Sequence, residues 1–305
     1  MFVNLGKISL LPKGAYVSLL LVYFSLAKPK ILVLLAVTAL STAMVAGRGS
    51  VPLKTGILLL LAIEIASAGA AFLNNYFDRD IDAVMERTKN RPLPAGRVNP
   101  TKVFLAGLAL VAVSLPIALK INYQVTLFIF AGATIYSLLY TLWLKRRTPF
   151  NILIGGLAGS CAVLAGWFAM NNTVTPVPIL LALLVFLWTP AHFWSLALVY
   201  QKNYQQVNVP MLPALIAAKR SADYILLSTC LLLSVSLVIY FLGLFGKIYL
   251  IGSIISRSLF LASNVKFWHQ PKLEWAWKNF KLSGLYLLVL FTTMVLDVIV
   301  NKNVR

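Results

Sequence analysis

Nine continuous apolar runs recur along the chain, each close to the length of about 20 residues that a helix needs to cross a membrane. Uninterrupted runs favour helices, because the strands of a membrane barrel show alternating polarity over segments of about ten residues. The pattern predicts an all-α polytopic membrane protein, a bundle of about nine transmembrane helices around a central cavity. The runs cover roughly residues 26–46, 56–76, 103–119, 125–143, 152–170, 178–200, 222–245, 248–265 and 283–300.

Composition agrees with a membrane protein. Of the 305 residues, 60% are hydrophobic and 11% are charged, whereas soluble domains carry about a quarter charged residues. We expect residues 26–305 to form a single transmembrane domain and residues 1–25, which lack a convincing cleavage site, to form an N-terminal surface segment. Cys161 and Cys230 fall within apolar runs without metal-ligand spacing, so we interpret both as packing residues.

The basic residues sort by side of the membrane. Lys and Arg number 27 against eight Asp and Glu, and alternation of the runs places twenty of the 27 on the side of the N-terminus. Six fall on the other side, and Arg257 lies inside the eighth run. The positive-inside rule therefore predicts a cytoplasmic N-terminus. The same rule explains the excess of Lys and Arg. We therefore expect the lipid bilayer, and no nucleic acid, as a partner.

One polar stretch, from Asn74 to Gly96, interrupts this apolar pattern at the end of the second run. This stretch contains half of the chain's acidic residues, all within a span of nine positions. Charge of one sign concentrated at a membrane boundary repels itself unless cations bind there. The acidic residues are Asp78, Asp80, Asp82 and Glu86.

Asn74, Asp78 and Asp82 are spaced i, i+4 and i+8, so on a continuous helix they form one stripe. Oxygen ligands of this kind suit Mg²⁺, which proteins hold through one or two carboxylates together with substrate phosphates. Arg87 and Arg91 follow closely and can bind phosphate oxygens. The pattern predicts a magnesium and diphosphate site in which Asn74, Asp78 and Asp82 are both metal ligands and catalytic residues.

Other interpretations remain open for these charges. The acids can simply pair with Arg79 and Arg87 at a helix end. Alternatively, Glu64 and the aspartates form the ion pathway of a transporter, since Glu64 projects with Asp82 if the helix runs through. Lys28, beside a proline that suits a helix start, is interpreted as a lysine that snorkels to the surface rather than as a ligand contact.

The spacing Asn74-x3-Asp78-x2-Ile81-Asp82-x2-Met85-x-Arg87-Thr88-x2-Arg91-x4-Gly96 resembles the signature of the UbiA-type intramembrane prenyltransferases. Within that superfamily the chain is most similar to the haem O synthases, and the resemblance covers roughly residues 26–297. The stretches that carry it are Arg87–Pro94, Leu144–Pro149, His192-Phe193-Trp194 and Pro210–Pro213.

The resemblance implies a nine-helix enzyme that uses Mg²⁺ to transfer the farnesyl group of farnesyl diphosphate to a vinyl group of haem b. It implies a location in the bacterial inner membrane, or in the mitochondrial inner membrane if the source is eukaryotic, and a haem A synthase as partner. Diphosphate-binding roles are implied for Arg87, Arg91, Lys145 and Lys202. Acceptor-binding roles are implied for Tyr140, His192, Phe193, Trp194 and Tyr204, although each of the aromatic residues can equally be ordinary packing.

Two positions have alternative interpretations. His192 can contact haem iron or haem propionates, or it can be a hydrogen-bonded structural residue. Lys202-Asn203 stands just before Tyr204, where haem O synthases usually carry paired acids. The residues here therefore do not predict a second magnesium ion on this side, and Lys202 is a candidate to contact diphosphate instead. A different acceptor, such as a quinone precursor or another tetrapyrrole, stays an alternative.

Overall fold

The structure is a computed structural model, and it describes residues 21–301. Over this range it contains nine helices that are long and apolar enough to cross a membrane, which confirms the predicted all-α, nine-helix fold. They are α1 (Pro29–Ala46), α2 (Leu53–Phe77), α3 (Pro100–Leu119), α4 (Tyr123–Arg146), α5 (Asn151–Phe168), α6 (Pro176–Val199), α7 (Ala218–Phe241), α8 (Lys247–His269) and α9 (Leu273–Val300). The central cavity stays a prediction.

The observed helix bounds differ from the apolar runs mainly at α9. This helix begins at Leu273, ten residues before the predicted start at 283. Its first turns are charged, and an exposed ion pair of 2.6 Å joins Glu274 to Lys278 across one turn. Hydropathy locates only the lipid-embedded part of a helix, whereas helical hydrogen bonding and i, i+4 pairs extend α9 into the polar region.

Small residues allow the closest approaches between helices. A Cβ atom on Gly69 of α2 would lie 2.7 Å from the carbonyl oxygen of Gly107 on α3, so the two backbones touch there. A Cβ atom on Gly166 of α5 would likewise lie 2.2 Å from the carbonyl oxygen of Ala39 on α1. Membrane helices pack through such small residues because lipid provides no hydrophobic driving force between them. These contacts bring α2 close to α3 and α5 close to α1.

All loops that carry candidate site residues lie at one end of the bundle, which we call the site end. Here α2, α4, α6 and α8 end and α3, α5, α7 and α9 begin. Of the predicted surface segment, residues 1–20 lie outside the described residues, while residues 21–26 are helical. Leu26 is buried and packs in one cluster with Phe72, Leu93 and Val103. The end of that segment therefore packs onto the bundle at the site end.

A buried carboxylate holds the opposite end together. Asp297 of α9 accepts hydrogen bonds from the backbone N–H groups of Gly246, Ile248 and Tyr249, which start α8. Its side chain is fully buried. A carboxylate at this position satisfies the free N–H groups of the helix start and interacts favourably with the helix dipole.

We expect Asp297→Ala to lower the free energy of unfolding by about 3 kcal/mol, because several buried N–H donors lose a charged acceptor. Denaturant unfolding in detergent would measure this. Asp297→Asn keeps an acceptor oxygen and should lose about half as much, and Glu274→Ala, on the exposed pair at the other end, serves as the control. Equal stability of Asp297→Ala and the parent would contradict the capping role.

Candidate active site

The predicted aspartate stripe is built by two helices rather than one. α2 ends at Phe77, Asp78 stands at the joint with φ −89° and ψ 0°, and a short helix covers Arg79–Val84. The condition of a continuous helix is therefore not met, and the argument that Glu64 projects with Asp82, which depended on it, does not hold. The N–H groups of Asp78 and Asp82 still bond to the carbonyls four residues before them. This winding keeps the three side chains on one side of the joint.

Each of the three candidate metal ligands is paired with a basic side chain. Asn74 accepts a hydrogen bond from the ammonium of Lys28, Asp78 binds Lys145 at 2.6 Å, and Asp82 binds Arg91 at 2.7 Å. Asn74 also donates to the carboxylate of Asp78 at 3.0 Å, which links two of the pairs. The acids do not pair with Arg79 and Arg87 as the structural alternative required.

Burial of these acids changes what their substitution should do. Asp78 and Asp82 are only 2% and 3% exposed, so their substitution should affect stability, unlike that of an exposed carboxylate pair. Lys145 is also buried beside Asp78. Removing one partner of such a pair leaves a buried charge without compensation and destabilises proteins by about 3–5 kcal/mol. Variants of the site must therefore be checked for folding as well as for activity.

The last turns of α4 deviate from α-helical geometry and bring several groups to the aspartates. Residues Ile135–Trp143 form a π-helix, and Leu144–Arg146 form a 3₁₀ turn. At about 100° per residue an α-helix would point Lys145 away from Tyr136, whereas the wider π turns place both on the Asn74 side. Thr141 accepts from Asn74 at 2.9 Å. Local π-helix frequently marks functional sites.

Lys28 was not predicted as a site residue, yet its ammonium donates to Asn74 and, at 3.2 Å, to the hydroxyl of Tyr136. The prediction that Lys28 snorkels to the surface was wrong. The residue has a left-handed backbone with φ 58°, a conformation that non-glycine residues rarely adopt and that occurs at functional sites. Burial, and next the positive charge of Arg91, lowers the pKa of Lys28 to about 7.

One oxygen at the centre of the site has no partner. Asp78 Oδ1 is buried and makes no hydrogen bond within the described residues, although a buried carboxylate oxygen normally requires a donor or a cation. Residues 21–301 contain no cluster of three His, Cys, Asp or Glu side chains. A metal would therefore be held by two carboxylates and one amide, with substrate oxygens completing its shell. This donor set fits Mg²⁺.

The remaining diphosphate candidates lie around this centre or away from it. Arg87 is exposed, and its guanidinium lies 5.0 Å from the ring centre of Tyr200. Lys202 is exposed on the short helix Gln201–Gln206 and makes no hydrogen bond or ion pair among the described residues. Arg91 and Lys145 are thus the predicted diphosphate residues that the structure brings to the aspartates. Among the described residues, Arg87 and Lys202 make no hydrogen bond or ion pair with Asn74, Asp78 or Asp82.

The acceptor candidates divide into two groups. Tyr140 stacks on Tyr136 with ring centres 6.0 Å apart, and the hydroxyl of Tyr136 accepts a hydrogen bond from Lys28. Tyr140 therefore adjoins the diphosphate site, whereas Tyr204 is buried on the short helix Gln201–Gln206. A Cβ atom on Gly155 of α5 would lie 2.8 Å from the ring of Tyr140, so glycine there lets the ring lie against the helix.

The second group, on α6, is not part of the aspartate site. Trp194 is buried and its ring packs edge-on against Tyr224 of α7, with centres 6.2 Å apart. His192 lies inside the helix rather than at its end, and Phe193 packs edge-on against it. These residues face α7 and α9.

Asp80 gives the site a built-in comparison. It is exposed on the same short helix as Asp82, and Arg146 binds both of its carboxylate oxygens, at 2.6 and 2.7 Å. These hydrogen bonds lower the pKa of Asp80 to about 2. The carboxylate of Asp80 is therefore paired with Arg146 at the surface and is not part of the buried site.

Comparison with known sequences identifies the family. The model of the UbiA prenyltransferase family matches residues 34–289, most of the chain. This chain belongs to the UbiA prenyltransferase family. A member named Protoheme IX farnesyltransferase, from Symbiobacterium thermophilum, is 38% identical over 278 residues, covering 90% of this chain and 93% of the relative. Protoheme IX farnesyltransferase 1 of Paramagnetospirillum magneticum is 41% identical over 280 residues, covering 90% and 97%.

Solved structures share the UbiA fold. The structure of a digeranylgeranylglyceryl phosphate synthase superposes with a TM-score of 0.77 at 20% identity, covering 92% of this chain and 98% of that one. A UbiA homologue from Archaeoglobus fulgidus bound to GPP and Mg²⁺ gives a TM-score of 0.66 at 18% identity, covering 90% and 99%. At these sequence identities the superpositions show that the fold is shared. Membership in the family makes this chain a prenyltransferase and sets the transporter alternative aside.

Proposed function

We propose that this protein transfers the farnesyl group of farnesyl diphosphate to a vinyl group of haem b, giving haem O and releasing diphosphate. The observation that carries the proposal is the buried group of Asn74, Asp78 and Asp82 with Lys145 and Arg91 around it. The names of relatives about 40% identical over nine-tenths of the chain support the acceptor. Substrates of both kinds are amphipathic and suit a site at a membrane boundary.

Mg²⁺ is the proposed cofactor. Asn74, Asp78 and Asp82 would hold it, and the partnerless oxygen of Asp78 supports this assignment. When bound, the ion supplies Lewis-acid stabilisation of negative charge on the diphosphate oxygens. Lys145, Arg91 and Lys28 now neutralise or occupy those three ligands. We propose that their basic groups turn to the diphosphate when the metal ion binds.

The reaction begins when the bond between the allylic carbon and the diphosphate oxygen breaks, with the electron pair leaving on the diphosphate. Lys145 and Arg91 stabilise that negative charge through charge-assisted hydrogen bonds. The stacked rings of Tyr136 and Tyr140 lie beside the basic groups. Their faces exclude water and stabilise the allylic cation. The terminal vinyl carbon of haem then forms a bond to the allylic carbon, which leaves the positive charge on the vinyl carbon next to the porphyrin ring. Water adds to that carbon and gives up one proton to the released diphosphate, which completes the hydroxyethylfarnesyl group.

The acceptor is tested by competition. Purified protein would be incubated with farnesyl diphosphate, Mg²⁺ and an equimolar mixture of haem b, a 4-hydroxybenzoate-type quinone precursor and an iron-free tetrapyrrole. Mass spectrometry should find the farnesyl group on haem b. Preferential prenylation of the aromatic acid or of the iron-free ring would overturn the proposed acceptor while leaving the diphosphate site intact.

We propose a cytoplasmic N-terminus in the bacterial inner membrane, or the corresponding orientation in the mitochondrial inner membrane. The proposed product would pass to a haem A synthase in the same membrane. Introduced cysteines test the orientation, because Asn99 lies at the site end and Asn172 at the opposite end. Asn99→Cys should react with an impermeant thiol reagent only from the cytoplasmic side, and Asn172→Cys only from outside. The reverse labelling would refute the orientation.

Lys202 is proposed to attract the diphosphate through long-range charge, since it is exposed and has no partner among the described residues. We expect Lys202→Ala to raise KM for farnesyl diphosphate a few-fold with kcat unchanged, and high salt to remove the difference. Lys219→Ala is the matched control, because that ammonium is held over the ring of Trp268. Restoring acids with Lys202→Asp and Asn203→Asp should raise KM further. Higher activity in that double variant would indicate a decayed metal site instead.

A further inference from the structure

Glu64 of α2 is a carboxylate at membrane depth that the active site does not use. Within residues 21–301 it forms no ion pair, and its Oε1 atom is enclosed without a hydrogen-bond partner. The side chain is partly exposed. Ile57 and Leu61, about two turns and one turn before it, are 48% and 47% exposed, so other helices of the chain leave this face of α2 open. A carboxylate in this position requires a partner.

Arg257 of α8 carries the opposite charge and also has no ionic partner among the described residues. Its guanidinium donates to the hydroxyl groups of Ser253, at 3.2 Å, and Ser236 of α7, at 3.5 Å, while its Nε atom is enclosed without an acceptor. The side chain is partly exposed, and Ile254, three residues before it, is 47% exposed. Two hydroxyl groups leave the positive charge uncompensated, which is costly at membrane depth.

The two charges lie at the same depth in the membrane. α2 and α8 both begin at the end of the bundle opposite the site end. Glu64 stands eleven residues after the first residue of α2, and Arg257 stands ten residues after the first residue of α8. These separations correspond to about 16 and 15 Å along the two helices. Because copies of one membrane protein share a single orientation, charges at equal depth on two copies are able to meet.

We propose that two copies of this protein associate in the membrane through ion pairs between Glu64 of one copy and Arg257 of the other. A two-fold axis along the membrane normal makes two such pairs. The pairs give charged partners to the enclosed Oε1 and Nε atoms, and such contacts are strong where water is excluded. The proposal does not depend on the acceptor or on the reaction.

The chemistry of the two side chains favours a second copy over lipid. Lipid headgroups lie at the membrane surface, whereas both residues stand near the middle of helices that span a hydrocarbon core of about 30 Å. A lipid anion at Arg257 also leaves Glu64 without a partner. A second copy carries both charges at the required depth, and the exposed side chains of Leu61 and Ile254 supply apolar contact beside them.

Charge reversal tests the pairing between copies. Glu64→Arg gives a variant with positive charges at both positions, and Arg257→Glu gives one with negative charges at both. When they are co-expressed with different affinity tags, the two variants should co-purify at least about tenfold more than either does with itself, since like charges at an interface strongly disfavour a partner. Self-association equal to mixed association would overturn the proposal, as would a parent that is monomeric in phosphatidylcholine vesicles.

The control for charge reversal is Glu274→Lys, which reverses an exposed acid at the site end. This variant should associate with itself as strongly as the parent does. A chain that carries both Glu64→Arg and Arg257→Glu restores opposite charges between identical copies and should regain self-association. Failure of this double variant to regain it, with parental thermal stability, would refute the ion pairs.

Cysteine cross-linking tests the contact with both charges in place, so it remains decisive if a reversed charge prevents folding. Cys161 and Cys230 would first be replaced by serine. Leu61→Cys on one copy and Ile254→Cys on the other each stand three residues before a charge, and oxidation in vesicles should link them into a dimer. Leu61→Cys with Phe130→Cys is the control, because Phe130 is 49% exposed on α4 and, like Ile254, stands seven residues after the start of its helix. Equal yields from the two combinations, or no dimer from the first, would overturn the proposal.

Discussion

Replacing Asp82 by asparagine should lower kcat/KM for farnesyl transfer by about a hundredfold to a thousandfold, as loss of one preorganised charge contact to a reacting group does. The carboxylate is buried, and it is bound by Arg91 at 2.7 Å. Asparagine keeps the shape of the side chain but removes the charge that a divalent cation requires. Asp78→Asn should have an effect of the same order, because its partnerless oxygen lies in the same site. Steady-state kinetics over a range of Mg²⁺ concentrations measures both.

Asp80→Asn is the matched control for this experiment. It makes the same chemical change two positions away on the same short helix, but on an exposed side chain bound by Arg146. Its kcat/KM should stay within about threefold of the parent, since exposed ion pairs contribute little. Equal losses in Asp80→Asn and Asp82→Asn would mean that net charge at the site end, rather than a defined site, controls the rate.

Lys145→Met should produce the second large loss, about a hundredfold in kcat/KM, because a buried ammonium that stabilises the leaving diphosphate is removed. The substitution also leaves the carboxylate of Asp78 without its 2.6 Å partner. The melting temperature should therefore fall, as expected for a broken buried pair. Mg²⁺ bound at Asp78 replaces the missing positive charge, so saturating Mg²⁺ should recover much of the stability without recovering the rate.

Arg147→Met is the control for Lys145→Met, since Arg147 is exposed and lies two residues after Lys145, just past the end of α4. It should change neither the rate nor the thermal stability by a measurable amount. Assays of both variants across ionic strength separate local binding from long-range attraction. If Lys145→Met keeps the parent's rate, the role of this lysine is confined to neutralising Asp78 in the absence of substrate.

The sequence alone predicted the features that depend on residues close together in the chain. Continuous apolar runs located all nine helices, because the membrane requires about 20 apolar residues in each. The i, i+4, i+8 spacing brought Asn74, Asp78 and Asp82 together even though the helix breaks at Asp78, since two of the backbone bonds across the break are retained. The structure brings Arg91 to this site, where it pairs with Asp82 at 2.7 Å, while its role in binding phosphate stays a prediction.

The parts that failed depend on contacts between distant segments. The ammonium of Lys28 donates a hydrogen bond to Asn74, which is 46 positions away in the sequence. The sequence around Pro29 predicted only that a helix starts there. The π-helix at Ile135–Trp143 packs against α2 and α5, and local propensity does not predict it. Pairing of Asp80 with Arg146 across 66 positions likewise separates it from Asp82, although both residues belong to one acidic cluster. A sequence pattern predicts which groups are close in the chain, whereas tertiary packing decides which of them are buried together.

The most direct test of the diphosphate site is a structure of the protein with Mn²⁺, in place of Mg²⁺, and a thiolo analogue of farnesyl diphosphate that does not ionise. Anomalous scattering should locate the metal ion on Asp78 and Asp82, with Asn74 in contact. Lys145 and Arg91 should have moved from the carboxylates to the diphosphate oxygens. Metal and analogue bound elsewhere, with the pairs Lys145–Asp78 and Arg91–Asp82 still closed, would contradict the account.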